Sequence, residues 1–124
     1  MYVRFLFLCL LFYSCNGPRM VQTDLYFGQL KQDGSMVTEQ QWNEFVAHHV
    51  SKVFKTGSTI IQAHGNWFDT TTKTLVSEPS FIVTAIYPSS LKVSPQIDSL
   101  RIIYKHLYQQ QSVLRVDKKV KARL

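Results

Sequence analysis

The stretch from Ser58 to Tyr87, STIIQAHGNWFDTTTKTLVSEPSFIVTAIY, constrains this chain most, because it reads as two β-favouring runs joined by a polar turn. Ile61, Ala63, Gly65 and Trp67 alternate with Ile60, Gln62, His64 and Asn66, which predicts a strand with one apolar and one largely polar face. Asp69-Thr70-Thr71-Thr72 turns the chain, and the return run extends from Lys73 to Tyr87. Within it Glu78-Pro79 predicts a bulge or an edge, since proline cannot donate to a ladder. The end of the run, FIVTAIY, is apolar on both faces, as expected of a central strand. A hairpin of this length needs a covering layer from the rest of the chain.

The flanking segments supply it. Residues Asp24 to Leu30 form an expected first strand, with Leu25 and Phe27 on one face and Tyr26 and Leu30 on the other, ending at the Asp33-Gly34 turn. A helix then starts with Thr38 as cap, Gln41 as the return member of a capping box, and Val37 with Trp42 as a hydrophobic staple. Trp42, Phe45, Val46, Val50, Val53 and Phe54 form its apolar stripe, and Gly57 stops it. Ser94-Pro95 opens a second helix, with Ser94 as cap and Ile97, Leu100, Ile103, Tyr104 and Leu107 on its apolar side. A last strand begins at Ser112, and Lys119, Lys121 and Arg123 guard its exposed edge. The order β-α-β-β-α-β predicts an α+β, ferredoxin-like open sandwich: an antiparallel sheet with two helices on one face.

The N-terminus carries a different signal. MYVRFLFLCLLFYSC has one positive charge and then an apolar run too short to span a bilayer, which matches a signal peptide. Ser14-Cys15 resembles the end of a bacterial lipobox, whose cysteine is lipidated, although Phe12 and Tyr13 depart from its usual residues. The expected organisation is a signal peptide over 1–14, a lipid-attached tether over 15–22 and a single domain over 23–124. The expected location is the periplasm or cell surface, with the membrane engaged through a lipid on Cys15. Both cysteines, Cys9 and Cys15, precede the domain, which excludes a cysteine nucleophile, a thiolate metal site or an internal disulfide within it. The net charge of +6 is compatible with anionic membrane surfaces. Export and the lack of aromatics interleaved with the C-terminal basic run argue against nucleic acid.

Chemistry is sparsely signalled. His48, His49, His64 and His106 lack ligand spacing, and no phosphate-binding, dinucleotide or nucleophile-elbow motif occurs, so neither metal nor cofactor is expected. Asp33, Asp69, Glu39, Glu44 and Asp98 have turn or helix explanations. Glu78 stands apart, within a strand and across the hairpin from His64, so His64 and Glu78 form a candidate acid–base pair. Tyr26, Gln62, His64 and Asn66 are expected to share the open sheet face; Tyr26 and Asn66, with the neighbouring Trp67, are candidate ligand-binding residues, with Arg115 for an anionic group. Solvated strand residues, or a homodimer seam through the sheet, account for the same pattern.

The motifs Leu25-Tyr26-Phe27-Gly28, VTEQQWNEF from Val37, Gly65-Asn66-Trp67, Glu78-Pro79-Ser80 and Gln111-Ser112-Val113-Leu114 together resemble a family of small bacterial exported proteins, the domain of unknown function number thirty-five seventy-four. Lys55 stands where that family usually has proline, and Asn66 where it has glutamine. The resemblance implies export and these domain limits, and implies no activity. The first expectation is therefore a lipid-anchored, non-enzymatic binding or structural module recognising a protein or small molecule. The alternative is a small ferredoxin-like enzyme or ligand-binding domain using the open sheet face.

Overall fold

A computed structural model describes residues 19–123, so the expected leader, Cys15 and the first part of the tether lie outside the described residues. Four strands, β1 (Met20–Gly28), β2 (Thr59–Asp69), β3 (Thr74–Pro88) and β4 (Leu114–Val120), pair antiparallel in the order β2-β3-β1-β4. Helical segments lie between β1 and β2 and between β3 and β4. This is the expected ferredoxin-like α+β sandwich. β1 starts earlier than expected: Met20, Val21 and Gln22, read as tether, pair with β3 on one side and β4 on the other. Two-sided pairing gives these residues ladder bonds that their local composition does not announce.

The first helical run begins as α1 (Glu39–Phe45), widens into a π-helical turn (Val46–Val50) and closes with α2 (Ser51–Val53). Its start is the expected capping box: Thr38 Oγ1 accepts from the Gln41 backbone at 3.2 Å and Gln41 Oε1 from the Thr38 backbone at 3.1 Å. Val37 and Trp42 are both buried, as a staple requires. The π turn has a packing reason. Phe45 and Val50, five residues apart, are both buried, and a wider turn places i and i+5 on one face.

α3 (Ser94–Tyr108) shows two differences from expectation. Its N-cap is Val93, and no side chain caps it, so Ser94 is already helical. Its buried stripe is Ile97, Leu100, Tyr104 and Tyr108, while Leu107 is exposed. Burial follows the 3-4-4 spacing that faces the sheet, which favours Tyr108 over its more apolar neighbour.

The core is largely aromatic. Leu25 and Phe27 of β1 and Phe81, Val83, Ala85 and Tyr87 of β3 meet the helices. Trp42 stacks on Phe81 with ring centroids 4.2 Å apart, and Tyr104 meets Phe27 and Phe45 edge-on at 4.7 and 4.9 Å. Each such burial contributes about 1.5–3 kcal/mol. The buried phenols keep their hydroxyls satisfied, Tyr104 donating to the Gly28 carbonyl at 2.8 Å, Tyr108 to the Gln41 carbonyl at 2.9 Å, and Tyr87 sharing a hydrogen bond with the Thr23 hydroxyl at 2.7 Å.

Glu78-Pro79 does not form a bulge, because β2 and β3 pair in one unbroken register from Thr59↔Thr84 to Asp69↔Thr74. In an antiparallel strand, a residue's N–H and C=O point to the same neighbour. The Pro79 carbonyl accepts from the Gln29 N–H at 3.0 Å, so its missing donor also faces the β1 side, past the last β1 pair at Gly28↔Ser80. The proline therefore removes nothing from the β2–β3 ladder.

Candidate ligand-binding cleft

The register decides which side chains share a face. Paired residues of antiparallel strands project to the same side, and odd-numbered Phe81, Val83, Ala85 and Tyr87 mark the helix side of β3. His64↔Pro79 and Asn66↔Ser77 therefore lie on the helix side, whereas Gly65↔Glu78 and Trp67↔Val76 lie on the open side. His64 and Glu78 are on opposite faces of the sheet, so the expected acid–base pair does not exist. Asn66 likewise leaves the open face.

The reason is the strand order. β2 is an edge strand, exposed on both sides, so its alternation of apolar and polar residues does not report which side the helices cover. Arg115 is opposite Leu25, which puts it on the helix side as well. It is held there by Asp117 at 3.0 Å and by Asp98 of α3 at 3.0 Å. Burial lowers its affinity for protons, and the two carboxylates more than restore it. The arginine is thus a clamp between β4 and α3.

Tyr26 and Glu78 lie on the open face, and Trp67, expected on the other side of β2 from His64 and Asn66, joins them there. They line a cleft of about 500 Å³ whose floor is Gly28, Gly65, Val76, Ser80 and Leu114. Its wall is built by two loops, Leu30 to Gln32 and Gln109 to Ser112. Gln109, in the left-handed conformation at φ 53°, ends α3 and turns the second loop over the sheet. Sequence reasoning missed this loop as part of a site, although Gln109-Gln110-Gln111 was its visible signal.

Gly28 is the centre of the cleft. A Cβ there would stand 3.0 Å from Gln110 Oε1 and 3.2 and 3.3 Å from the two Glu78 carboxylate oxygens, so three acceptors converge on one bare backbone position. The Gln110 amide is oriented by its nitrogen, which donates to the Leu30 carbonyl at 2.8 Å and the Tyr108 carbonyl at 3.4 Å. Its oxygen must then face the cleft. The ion pairs among the described residues engage Asp24, Asp98 and Asp117 and leave Glu78 out. Lys31, the one cation lining the cleft among the described residues, is committed to Gln41 Oε1 at 3.3 Å and lies 6.0 Å from the centre of the Tyr108 ring. The cleft therefore offers acceptors and aromatic surface, with the Ser80 hydroxyl beside Gly28.

The buried carboxylate of the open face is structural. Asp24 is buried and accepts from Gln22 at 2.9 Å, Thr84 at 2.8 Å and Lys118 at 3.4 Å. Burial alone would raise its carboxyl, but these hydrogen bonds and the Lys118 charge hold it below the usual carboxylate value. Among the described residues no group of three His, Cys, Asp or Glu side chains is placed to hold a metal ion.

The architecture defines a small ferredoxin-like α+β domain. Over residues 22–124 the chain matches the family described as Protein of unknown function (DUF3574), and it belongs to that family. Among curated proteins, none matches the sequence. Similar solved structures include a phage SAM lyase in complex with S-methyl-5'-thioadenosine, at 15% identity and a TM-score of 0.65, covering 83% of each chain. GlnK from B. subtilis in complex with ATP is similar at 8% identity and a TM-score of 0.54, covering 82% of each chain. CutA from Synechococcus elongatus has 8% identity and a TM-score of 0.52, over 84% of this chain and 79% of that one. At these identities the likeness is one of fold.

Proposed function

We propose that this chain is an exported, lipid-anchored binding domain whose open-face cleft takes an adenine-nucleoside ligand. The carrying observation is the set of three acceptor oxygens, from Glu78 and Gln110, converging on Gly28, with Glu78 outside the ion pairs of the described residues. A ribose diol presents two adjacent donors to such a carboxylate, and a flat base finds aromatic surface in Trp67, half exposed, and in Tyr26. The leader pattern ending at Cys15 supports the anchored location. Ligands of the fold neighbours make S-methyl-5'-thioadenosine and ATP the first probes.

Calorimetric titration of the full chain in detergent with these two compounds and S-adenosylmethionine tests the reading. At least one is expected to bind, and Glu78→Gln to weaken it roughly tenfold or more, the worth of a charge-assisted hydrogen bond. No binding by any probe, or binding that Glu78→Gln leaves intact, refutes it. A second reading, a lyase acting on a sulfonium nucleoside, is favoured by the SAM lyase likeness. Release of S-methyl-5'-thioadenosine on incubation with S-adenosylmethionine, followed by chromatography, separates it from simple binding.

A further inference from the structure

We infer that the outer edge of β2 pairs with another copy of this chain, extending the sheet beyond one molecule. The backbone geometry identifies which groups are available. Because Pro79 directs its carbonyl toward β1, His64↔Pro79 is a pair without mutual hydrogen bonds, and the His64 N–H and C=O face away from β3. By alternation, Ile60, Gln62, Asn66 and Phe68 also present their backbone groups to the outside. That is an uninterrupted edge over most of an 11-residue strand.

Sheet edges exposed to solvent are ordinarily blunted by charge, proline, bulges or brevity. Apart from Asp69 at its last position, β2 has none of these. Thr59 to Phe68 contains no Asp, Glu, Lys, Arg or Pro, and the pairing to β3 has no bulge. The opposite edge shows the contrast, since β4 is only 7 residues long and carries Arg115, Asp117, Lys118 and Lys119. Apolar side chains flank the open edge on both faces: Ile60 is 37% exposed, Ile61 50%, Trp67 50% and Phe68 60%, with Leu75 at 70% opposite Phe68. A strand docked here satisfies the outward backbone groups and covers apolar surface above and below.

The strand itself selects the occupant, because it is self-complementary. Paired antiparallel with a copy about His64, Ile60 meets Phe68, Ile61 meets Trp67 and Gln62 meets Asn66, so apolar side chains cover apolar ones on both faces. The stretch from Thr59 to Phe68 brings no like charges together, although each chain carries +6. The inference does not depend on the ligand reading, although a docked copy would stand beside Gly65 and Trp67 and so extend the wall of the cleft.

Gln62 is exposed, lies outside the cleft and faces its backbone outward, so it is the position to change. The full chain and its Gln62→Pro and Gln62→Lys variants are compared in detergent by native mass spectrometry and light scattering, with circular dichroism as the check on folding. Wild type is expected as an oligomer. Proline removes one outward donor and lysine adds a gatekeeper charge, so each folded variant should raise the dissociation constant roughly tenfold or more. A monomeric wild type overturns the inference, as does an oligomer unaffected by the lysine variant, because association would then run through another surface.

Discussion

Gly28→Ala separates the cleft from the fold. The new methyl would lie 3.0 Å from Gln110 Oε1 and 3.2 and 3.3 Å from the Glu78 oxygens, closer than ordinary contact, so those ends must move by a few tenths of an ångström. Both are tips of flexible side chains. The Gly28 backbone is not among the positive-φ positions, which are Gly34 and Gly57 for glycine, so alanine adds no backbone strain. Reduced freedom of the unfolded chain favours alanine by about 0.4–1 kcal/mol. Displacing two side-chain tips costs a similar amount, so the net stability change should stay within about 1 kcal/mol of zero, and Tm within roughly 8 °C. The ligand site suffers more, because the methyl occupies the point on which the acceptors converge. Losing charge-assisted hydrogen bonds worth about 1.5–3 kcal/mol weakens binding roughly 10- to 100-fold. Thermal unfolding by circular dichroism and calorimetry with S-methyl-5'-thioadenosine or ATP read the two effects. An unchanged Kd would refute the cradle, and a collapse in Tm would show that Gly28 serves the fold.

Three further outcomes are expected. Tyr104→Phe removes the donor to the Gly28 carbonyl, and an unpaired buried carbonyl should cost about 1–2 kcal/mol, seen as a fall in Tm of roughly 5–10 °C. Asp24 has a folded pKa below its unfolded value, so it stabilises the fold above the ordinary carboxylate range and loses that contribution as pH falls through the folded value. Urea midpoints at pH 7 and pH 3 should therefore differ less in Asp24→Asn than in wild type, and an equal difference would remove Asp24 from the acid response. Mass spectrometry of the mature protein should find acyl chains on an N-terminal Cys15, and Cys15→Ser should release it from the membrane fraction.

The strands, the capping box and the aromatic core were legible because each rests on local spacing. Thr38, Gln41, Val37 and Trp42 lie within six positions of one another, and their geometry is that of any helix start. Leu25 and Phe27 were read to the correct face because both flanks of β1 are paired and one side is covered. The same alternation misled at β2, where neither side is covered, and it placed His64 and Asn66 beside Glu78. The π turn was also hidden, since a step from Phe45 to Val50 looks like a gap in a regular helical stripe.

By itself the sequence determined the order of elements, the class of sandwich, the family and the candidates Tyr26, Trp67 and Glu78, because periodicity and short motifs act between near neighbours in the chain. Only the tertiary structure decided that Glu78 meets Gln110 across Gly28, that Arg115 is a clamp, and that β2 is an open edge. Those facts depend on strand order and register, which are set by which apolar faces the helices cover.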